Sequence, residues 1–379
     1  MMERYEEVFF SLVRSGMWGT APEVPEGFNE WGKVARLAKS QSVLGVVGEV
    51  MLTDPTVAGN IDTELKAKIK SFMMSNMLTH GMLNGALVKV VSTLRSSGIG
   101  SVLLKGQGLE HYYPKPELRQ CGDIDLYVGM EKYADAYDVL KPLATKIDDK
   151  KALAVGKHFD LEIGRAVIEV HRYTDTYPTK RLDRAYQKAS LEGLQDNLIE
   201  IDFNGVMVNT PSDVYNAFYV FSHLFHHFLI NGLGSRHLCD WMRFLHVRKD
   251  KIDLNALGSL LKEVDMLEPW QTFGCVLVKV LGMPQDEFPF YNPSYEGKVP
   301  TIIERMIEEG NFGKERDVYK KRGKIYLINK AWAMFAHIGR TFGLIFLFPR
   351  HSFRQIWHTM TNGFAKVFND AAIRFGRRS

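Results

Sequence analysis

Apolar side chains recur at helical spacing in the first part of the chain. Within residues 62–97 they follow at three- and four-residue steps, and the stripe consists of Leu65, Ile69, Phe72, Leu83, Leu87, Val91 and Leu94. Such a stripe is typical of one amphipathic helix or of two joined helices. Gly98 and Gly100 are expected to end it. We therefore predict an N-terminal helical region.

The pattern changes period after Gly100. Ser101–Leu104 is an apolar run typical of a short buried strand, and Lys105–Gly108 has the composition of a flexible loop. Asp123–Val128 alternates polar and apolar residues, as a half-buried strand does, and Glu131–Leu140 returns to helical spacing. Two antiparallel hairpins are predicted further on: Phe159–Ile163 with Val167–His171 around Gly164, and Ile199–Phe203 with Val206–Val208 around Asn204-Gly205.

The segment Thr210-Pro211-Ser212-Asp213 predicts the start of a helix. Thr210 is expected to cap it, with Pro211 at the first helical position and Asp213 in the first turn. Most of the later chain has helical spacing, so we predict an α+β protein with a small mixed sheet flanked by N-terminal and C-terminal helical regions. The predicted division is a helical region at 1–98, an α/β core at 99–210, a helical domain at 211–330 and an amphipathic basic helical tail at 331–379.

Composition adds limits to this picture. The 379 residues, 45% of them hydrophobic, are enough for a sizeable core in one or two domains. A net charge of +4 does not by itself indicate a nucleic-acid partner. Cys121, Cys239 and Cys275 lack paired spacing, which argues against a disulfide framework and a thiolate zinc site and favours a reducing cytosol. The acidic N-terminus has no long apolar run and is not expected to be a secretory signal.

The C-terminal tail differs from the rest of the chain. Residues 350–379 contain six Lys/Arg and one Asp, interleaved with Phe353, Trp357, Phe364, Phe368 and Phe375. The preceding apolar run, Leu344–Phe348, is too short to span a membrane, and His337 and Arg340 interrupt the residues before it. Two interpretations stay open: the apolar face of the tail packs on the helical domain, or the tail makes weak contact with an anionic membrane surface.

Asp123 and Asp125 are the first candidates for chemistry. They are two residues apart on a predicted strand, so their side chains leave the same face. Glu169 lies on another predicted strand, between Ile168 and Val170, which face the other way. If the two strands are neighbours, three carboxylates converge, and at about 4 Å they repel by several kcal/mol per pair at an effective dielectric near 20. A cation relieves this repulsion, and oxygen ligands suit Mg²⁺ or Mn²⁺.

The pair alone is a weak signal, because solvated strand faces often carry Asp-x-Asp. The hypothesis depends on the order of strand, Gly-rich loop, acidic strand and later strand with an isolated glutamate. Lys105 and Gly106 open that loop, whose backbone amides can approach phosphate while Lys105 supplies a cation; a simple turn is the alternative. His171 shares the predicted face of Glu169 and lies within reach of the same site. His158 precedes the hairpin and has no assigned role.

A histidine-rich helix is predicted after Asp213. His223 and His227 lie nearly opposite its apolar stripe and can be structural or solvated residues, cleft-lining donors to phosphate or acceptor, or an i, i+4 zinc pair. Arg236 and Asp240 are four residues apart and are predicted to pair within their helix or across a cleft. The apolar stripe consists of Val214, Phe218, Phe221, Phe225 and Phe228.

Several short segments form a specific combination. They are Leu103-Leu104-Lys105-Gly106, Tyr113-Pro114-x-Pro116, Arg119, Gly122-Asp123-Ile124-Asp125-Leu126-x-Val128, Ile168-Glu169-Val170-His171, Pro211-Ser212 and Arg236-x-x-x-Asp240. Together they resemble the uncharacterised bacterial nucleotidyltransferase family of the polymerase-beta-like superfamily, over residues 30–250 and more loosely in the tail. The resemblance implies a nucleotidyltransferase-like core with Mg²⁺ on Asp123 and Asp125. It also implies that Glu169 is the third carboxylate, which helps to deprotonate the acceptor hydroxyl.

The loop departs from that superfamily. Its usual Gly-Ser or Gly-Gly loop is replaced by Lys105-Gly106, and 16 residues separate Gly106 from Asp123. Phosphate binding by this loop is therefore less secure than the metal triad. The added residues include Arg119, which can shape a nucleotide or acceptor pocket or can pair with Asp123 or Asp125.

Two functional hypotheses follow from the resemblance. The first is an enzyme that moves an NMP from an NTP, such as ATP, to a hydroxyl of a small molecule or protein and releases pyrophosphate. Long nucleic acid is not expected as a partner, because neither a zinc finger nor a strongly basic groove is evident. The second is a catalytically inactive nucleotide-binding or accessory protein of a polysaccharide or membrane-linked pathway. The expected location is the cytoplasm, with peripheral contact at the inner membrane face as the open alternative for the tail.

Overall fold

The computed structural model describes residues 2–154, 156–311 and 338–360. Helices form its N-terminal part, as predicted. Asp62 caps the last of them, α5, which is a single helix of 34 residues, so the alternative of two joined helices is wrong. Gly98, at φ +71°, turns the chain after its end. The bounds are α1 (Arg4–Trp18), α2 (Trp31–Ser40), α3 (Leu44–Thr53), α4 (Pro55–Ala58) and α5 (Thr63–Ser96).

A mixed sheet of seven strands follows in the described chain. Its strands are β1 (Val102–Leu103), β2 (Ile124–Tyr127), β3 (Lys146–Ile147), β4 (His158–Ile163), β5 (Ala166–His171), β6 (Ile199–Phe203) and β7 (Val206–Thr210). The intervening helices are α6 (Gln107–Glu110), α7 (Tyr133–Leu140) and α8 (Lys180–Gln195). The spatial order of the strands is β3-β4-β5-β2-β1-β7-β6.

The centre of this sheet positions the candidate site. β2 runs parallel to β5 and antiparallel to β1, and β1 is parallel to β7. Both predicted hairpins, β4–β5 and β6–β7, are confirmed as antiparallel pairs. Asn204 and Gly205 have φ of +54° and +85°, which is the backbone that a tight two-residue hairpin turn requires.

Two details of the sequence prediction are wrong. Residues 105–108 are not entirely a loop, because Gln107 and Gly108 begin α6 and are buried. Thr210 does not cap the next helix: it is the last residue of β7, and its hydroxyl donates to the carbonyl of Ile199. Ser212 occupies the N-cap position instead. The β-pairing of residues 199–210 therefore extends further along the chain than the sequence pattern indicated.

The C-terminal part is helical. Phe348, between the described helical residues 338–342 and 349–360, is fully buried against Phe225, Phe228 and Phe273. The described part of the tail therefore packs on the helical core, while Trp357 stays 68% exposed. The other helices are α9 (Asp213–Ile230), α10 (Ser235–Arg248), α11 (Leu254–Glu263), α12 (Leu267–Lys279) and α13 (Val299–Glu309).

Parts of the predicted C-terminal regions lie outside the described residues: 312–330 of the helical domain, and 331–337 and 361–379 of the tail, with Phe364, Phe368 and Phe375. Within the described ranges, every helix is too short or too polar to cross a lipid bilayer.

Apolar side chains cover one face of the sheet. Ile124 and Leu126 of β2, with Ile168 and Val170 of β5, are fully buried in a cluster that includes residues of α5 and α7. A second cluster joins the N-terminal helices to α9 through α13. The alternation of β2 and β5 then turns their polar residues to the opposite face, toward α9. The α+β prediction is confirmed.

Candidate active site

Three carboxylates meet on the face of the sheet opposite the apolar cluster. Asp125 lies on β2 and Asp123 immediately before it, while Glu169 lies on the adjacent parallel strand in direct register with Asp125. One oxygen atom from each of the three lies within 4.8 Å of the others. The sequence predicted that the three carboxylates converge if their two strands are neighbours, and β2 and β5 are neighbours.

Histidines connect the carboxylates to one another. His171 Nε2 lies 3.1 Å from Asp125 Oδ1 and 3.3 Å from Glu169 Oε2, and the ring is almost completely buried. His158, the first residue of β4, brings its Nδ1 to 3.4 Å from Glu169 Oε2. The sequence placed His171 within reach of the site but left His158 without a role. His158 arrives there because β4 pairs with β5 and sets it opposite His171.

The charges around the carboxylates shift their pKa values in different directions. Desolvation at the cavity wall and the adjacent charge of Asp125 raise the pKa of Asp123. Burial opposes the charged form of Asp125, but Lys105 and His171 outweigh it and lower the pKa of this group. Burial likewise opposes ionisation of Glu169, and its hydrogen bond with His171 lowers the pKa. Asp125 and Glu169 are thus held ionised by the groups beside them, whereas the raised pKa of Asp123 makes it the carboxylate that takes up a proton most readily.

Lys105 lies between the carboxylates and the helices that face them. Its Nζ is 3.3 Å from Asp125 Oδ2 and 3.3 Å from His223 Nε2. Gly106 follows at φ +64°, a backbone conformation that disfavours a side chain, and a β-carbon there would lie 3.3 Å from the carbonyl oxygen of Asp123. The turn therefore brings the loop backbone close to the acidic residues.

Three histidines form the opposite wall. His223 and His227 on α9 have their Nε2 atoms 3.0 Å apart, and His237 on α10 joins them within 4.8 Å. Burial strongly lowers the pKa of all three imidazoles, with Lys105 as a further cause at His223, so they are neutral near pH 7. Neutral imidazoles can bind a metal, but unlike the three carboxylates they carry no negative charge to offset the repulsion between a dication and the Lys105 ammonium. Their position lines the cavity, one of the interpretations left open.

Arg119 and Arg236 are placed differently from the prediction. Arg119 makes two hydrogen bonds to the Asp240 carboxylate, of 2.7 and 2.8 Å, and both side chains are nearly inaccessible. Arg119 lines the pocket, one of the two alternatives left open for it, but the other alternative, a pair with Asp123 or Asp125, is wrong. So is the predicted pair of Arg236 and Asp240, since Arg236 Nη1 donates to the carbonyl of Gln120. Helix α10 packs against the segment before β2, so Asp240 meets Arg119 of that segment instead of Arg236 of its own helix.

With the exception of the buried His171, these side chains line one cavity of about 390 Å³. Its volume falls in the range of about 300–1,000 Å³ typical of small-molecule sites. The sequence prediction missed several residues of its lining: Lys157, Asp175, Tyr219, His226, Asn231 and His237. Tyr219 precedes His223 and His227 at i, i+4 spacing on α9, so the sequence alone could have indicated that it lies on the same face of the helix. The others required knowledge of the tertiary packing.

Comparison with known proteins identifies the family of the chain. A family model described as "Uncharacterised nucleotidyltransferase" matches residues 28–282. The chain belongs to this family, and the resemblance inferred from its motifs is confirmed. No curated protein matches the sequence. One solved structure is similar to it, a crystal structure of an antigenic nucleotidyltransferase-like protein from Paracoccidioides brasiliensis. The TM-score is 0.33 at 13% identity, and the match covers 56% of this chain and 95% of that one.

Proposed function

We propose that this chain transfers an NMP from an NTP to a hydroxyl of a small molecule or a protein side chain. Mg²⁺ or Mn²⁺ would be bound by Asp123, Asp125 and Glu169, and pyrophosphate would be released. Family membership supports nucleotidyl transfer in general. The convergence of three carboxylates on adjacent parallel strands inside the cavity is the observation that supports this site for the reaction.

The donor atoms fit such a metal. Asp123, Asp125 and Glu169 supply oxygens only, which is the ligand set that Mg²⁺ and Mn²⁺ prefer. The raised pKa of Asp123, due in part to the anion of Asp125, indicates a place where further positive charge is favourable. A bound ion would orient the triphosphate and lower the charge developing on its oxygens.

The residues opposite the carboxylates suit a triphosphate. Lys105 offers an ammonium group, and its side chain is 22% exposed. Arg236 lines the same cavity, and its Nε is buried and has no hydrogen-bond partner in the described chain. A phosphate oxygen would accept from that N–H and remove the cost of leaving it unpaired, which is about 1–3 kcal/mol for a buried donor. The neutral imidazole of His223 can donate a further hydrogen bond.

Glu169 is suited to accept the proton of the attacking hydroxyl. The hydroxyl oxygen forms a bond to the α-phosphorus of the NTP, the bond from that phosphorus to the bridging oxygen breaks, and pyrophosphate leaves. Glu169 Oε2 takes the hydroxyl proton, and the ring of His158, 3.4 Å away and with a pKa lowered by burial, can accept it in turn. His171, 3.3 Å from the same oxygen, holds Glu169 in place. Because His171 also contacts Asp125, it keeps the two carboxylates in fixed relation.

Thermal melting with each NTP and Mg²⁺ tests the proposal. Binding to the native state at about 100 times Kd stabilises by about 2.7 kcal/mol, so at least one NTP should raise the midpoint by several degrees. Asp123→Asn should lose that rise. Glu200→Gln, which removes an exposed carboxylate from β6 at the edge of the same sheet, should keep it. A parent protein that no NTP stabilises, or an equal rise in Asp123→Asn, would count against the site. Nucleotide binding without pyrophosphate release in the presence of candidate acceptors would favour an accessory protein.

A further inference from the structure

A second cluster of metal-ligating side chains lies outside the cavity. His80 belongs to α5, Glu110 ends α6, and Cys121 lies in the segment that leads to β2. The side chains of His80 and Glu110 are only 7% and 3% exposed, while Cys121 is partly accessible. The cluster therefore joins three separate segments of the chain, and one of them continues directly into Asp123.

The distances between these three side chains match the edges of a tetrahedral site. His80 Nδ1 is 3.1 Å from Glu110 Oε2, and Cys121 Sγ is 3.7 Å from His80 Nδ1 and 3.6 Å from Glu110 Oε2. Zinc binds nitrogen and oxygen at about 2.0–2.2 Å and sulfur at about 2.3 Å. In a tetrahedron such bonds separate nitrogen from oxygen by about 3.3 Å and sulfur from either by about 3.5 Å. One ion would reach all three atoms after the Cys121 side chain rotates toward Nδ1, because Sγ now lies nearer to His80 Nε2, at 3.3 Å.

Hydrogen bonds with neighbouring groups hold His80 and Glu110 in place and leave one atom of each for a metal. His80 Nε2 lies 2.6 Å from the carbonyl oxygen of Arg119, to which it can donate, and this tautomer leaves the Nδ1 lone pair for a metal. Asn84 Nδ2 donates to Glu110 Oε1 at 3.2 Å and leaves Oε2 toward the cluster. Metal-bound histidines and carboxylates are commonly held in this way by a backbone carbonyl and by hydrogen-bond donors.

We propose that His80 Nδ1, Glu110 Oε2 and Cys121 Sγ bind a zinc-class divalent cation, with water or a small ligand at the fourth position. A thiolate, a neutral imidazole and a carboxylate together carry two negative charges, so a dication leaves a nearly buried site neutral. The sulfur ligand selects Zn²⁺ or Co²⁺ over Mg²⁺, in contrast to the all-oxygen set of the cavity. Binding breaks the S–H bond of Cys121 and displaces the proton that His80 Nδ1 shares with Glu110 Oε2. Bonds from the metal to sulfur, nitrogen and oxygen form, and both protons pass to solvent.

Such a site would act on the candidate active site through the backbone. It would tie residues 119–123 to α5 and α6 and so fix the segment that carries Arg119 and Asp123. Cysteine spacing along the chain, which disfavours a thiolate zinc site, cannot reveal a single cysteine that combines with a histidine and a glutamate from distant segments.

Cobalt spectroscopy on the full-length chain tests the proposal. The reduced protein is stripped of metal with a chelator and titrated with Co²⁺, and absorption is followed in the near-ultraviolet, where thiolate-to-cobalt charge transfer occurs. We expect the band to saturate at one Co²⁺ per chain and to be displaced by Zn²⁺. It should disappear in Cys121→Ser and persist in Cys275→Ser, the matched loss of a different thiol. It should also persist in Asp123→Asn, which separates this site from the proposed Mg²⁺ site.

A measurement on the parent protein does not depend on how the variants fold. Alkylation of Cys121, followed by mass spectrometry, should slow at least tenfold with Zn²⁺ and remain unchanged with Mg²⁺. Absence of the charge-transfer band while Cys121 is reduced, an equal band in a folded Cys121→Ser, or equal alkylation with and without Zn²⁺ would each overturn the proposal. His80 and Glu110 would then be a hydrogen-bonded pair only. A cobalt site made of His223, His227 and His237 would bind without the thiolate band.

Discussion

The buried pair of Arg119 and Asp240 permits a quantitative prediction about stability. Two hydrogen bonds of 2.7 and 2.8 Å join the guanidinium to the carboxylate, and the side chains are 4% and 6% exposed. Tyr113 donates a third bond of 2.7 Å to Asp240 Oδ1. The change Arg119→Met keeps most of the side-chain volume but leaves the Asp240 carboxylate buried without its cation.

We expect this change to lower the free energy of unfolding by about 3–5 kcal/mol, the usual cost of breaking a buried ion pair from one side. A typical protein has about 5–15 kcal/mol in total, so the loss should be large. Most of the cost comes from leaving the charged Asp240 carboxylate buried without a cation, rather than from losing its attraction to Arg119. The double variant Arg119→Met/Asp240→Asn should therefore be more stable than Arg119→Met alone, because the amide is neutral and still accepts the hydrogen bond from Tyr113.

Urea unfolding at neutral pH measures these differences, and the chain contains a matched control. Arg248 and Asp213 make the same two-bond contact, of 2.6 and 2.8 Å, but their side chains are 25% and 18% exposed. Water can solvate Asp213 after Arg248→Met, so that variant should lose about 1 kcal/mol or less. Equal losses in the two single variants would refute the role of burial. A double variant less stable than Arg119→Met would refute the explanation that the cost comes from the unpaired buried carboxylate.

Three further predictions concern other parts of the chain. Because burial lowers the pKa of His223 in the folded state, only the unfolded state binds a proton at this residue below about pH 6.5. The free energy of unfolding should therefore fall between about pH 7 and pH 5. In urea unfolding, His223→Gln should reduce the pH dependence of that free energy by up to about 1.4 kcal/mol per pH unit. Phe348→Ala should cost about 3–5 kcal/mol by the same assay, since the ring is fully buried against the helical core; a small loss would mean that residues 338–360 do not dock there. Gly193→Ala should lower the melting temperature, because a β-carbon there would lie 2.1 Å from Tyr215 Cβ. Gly85→Ala, on α5 with open space around it, should raise the free energy of unfolding by about 0.5–1 kcal/mol. A melting temperature that rises in Gly193→Ala or falls in Gly85→Ala would contradict the packing at these positions.

Local patterns were sufficient for most of the secondary structure. The stripe of α5, the Asn204-Gly205 turn and the alternation of β2 and β5 are properties of consecutive residues, and each is present in the structure. The prediction failed at Thr210, where a favourable capping sequence lost to one more pair of the β6–β7 ladder. It failed at Gln107 and Gly108 because two glycines in four residues indicate a loop, although burial orders this segment as a short helix.

The candidate site was only partly predictable. The two-residue period of a strand places Asp123 and Asp125 on one face whatever the rest of the chain does. That Glu169 lies beside them depends on the parallel register of β2 and β5, and helix α7 and strands β3 and β4 separate these two strands in the chain. Spacing along α10 suggested that Arg236 pairs with Asp240, yet Arg119 takes that carboxylate from a different segment.

The sequence by itself determined the α+β character, the family, the two aspartates on one strand face and the positions of most helices and hairpins, because these depend on neighbours within a few residues. Only the tertiary structure decided which charges meet: Lys105 with Asp125, His158 with Glu169, Arg119 with Asp240, and His80 with Glu110 and Cys121. Electrostatic partners are selected by distances of a few ångströms between segments remote in the chain. Those distances are set by the strand register and by how α5, α9 and α10 pack on the sheet.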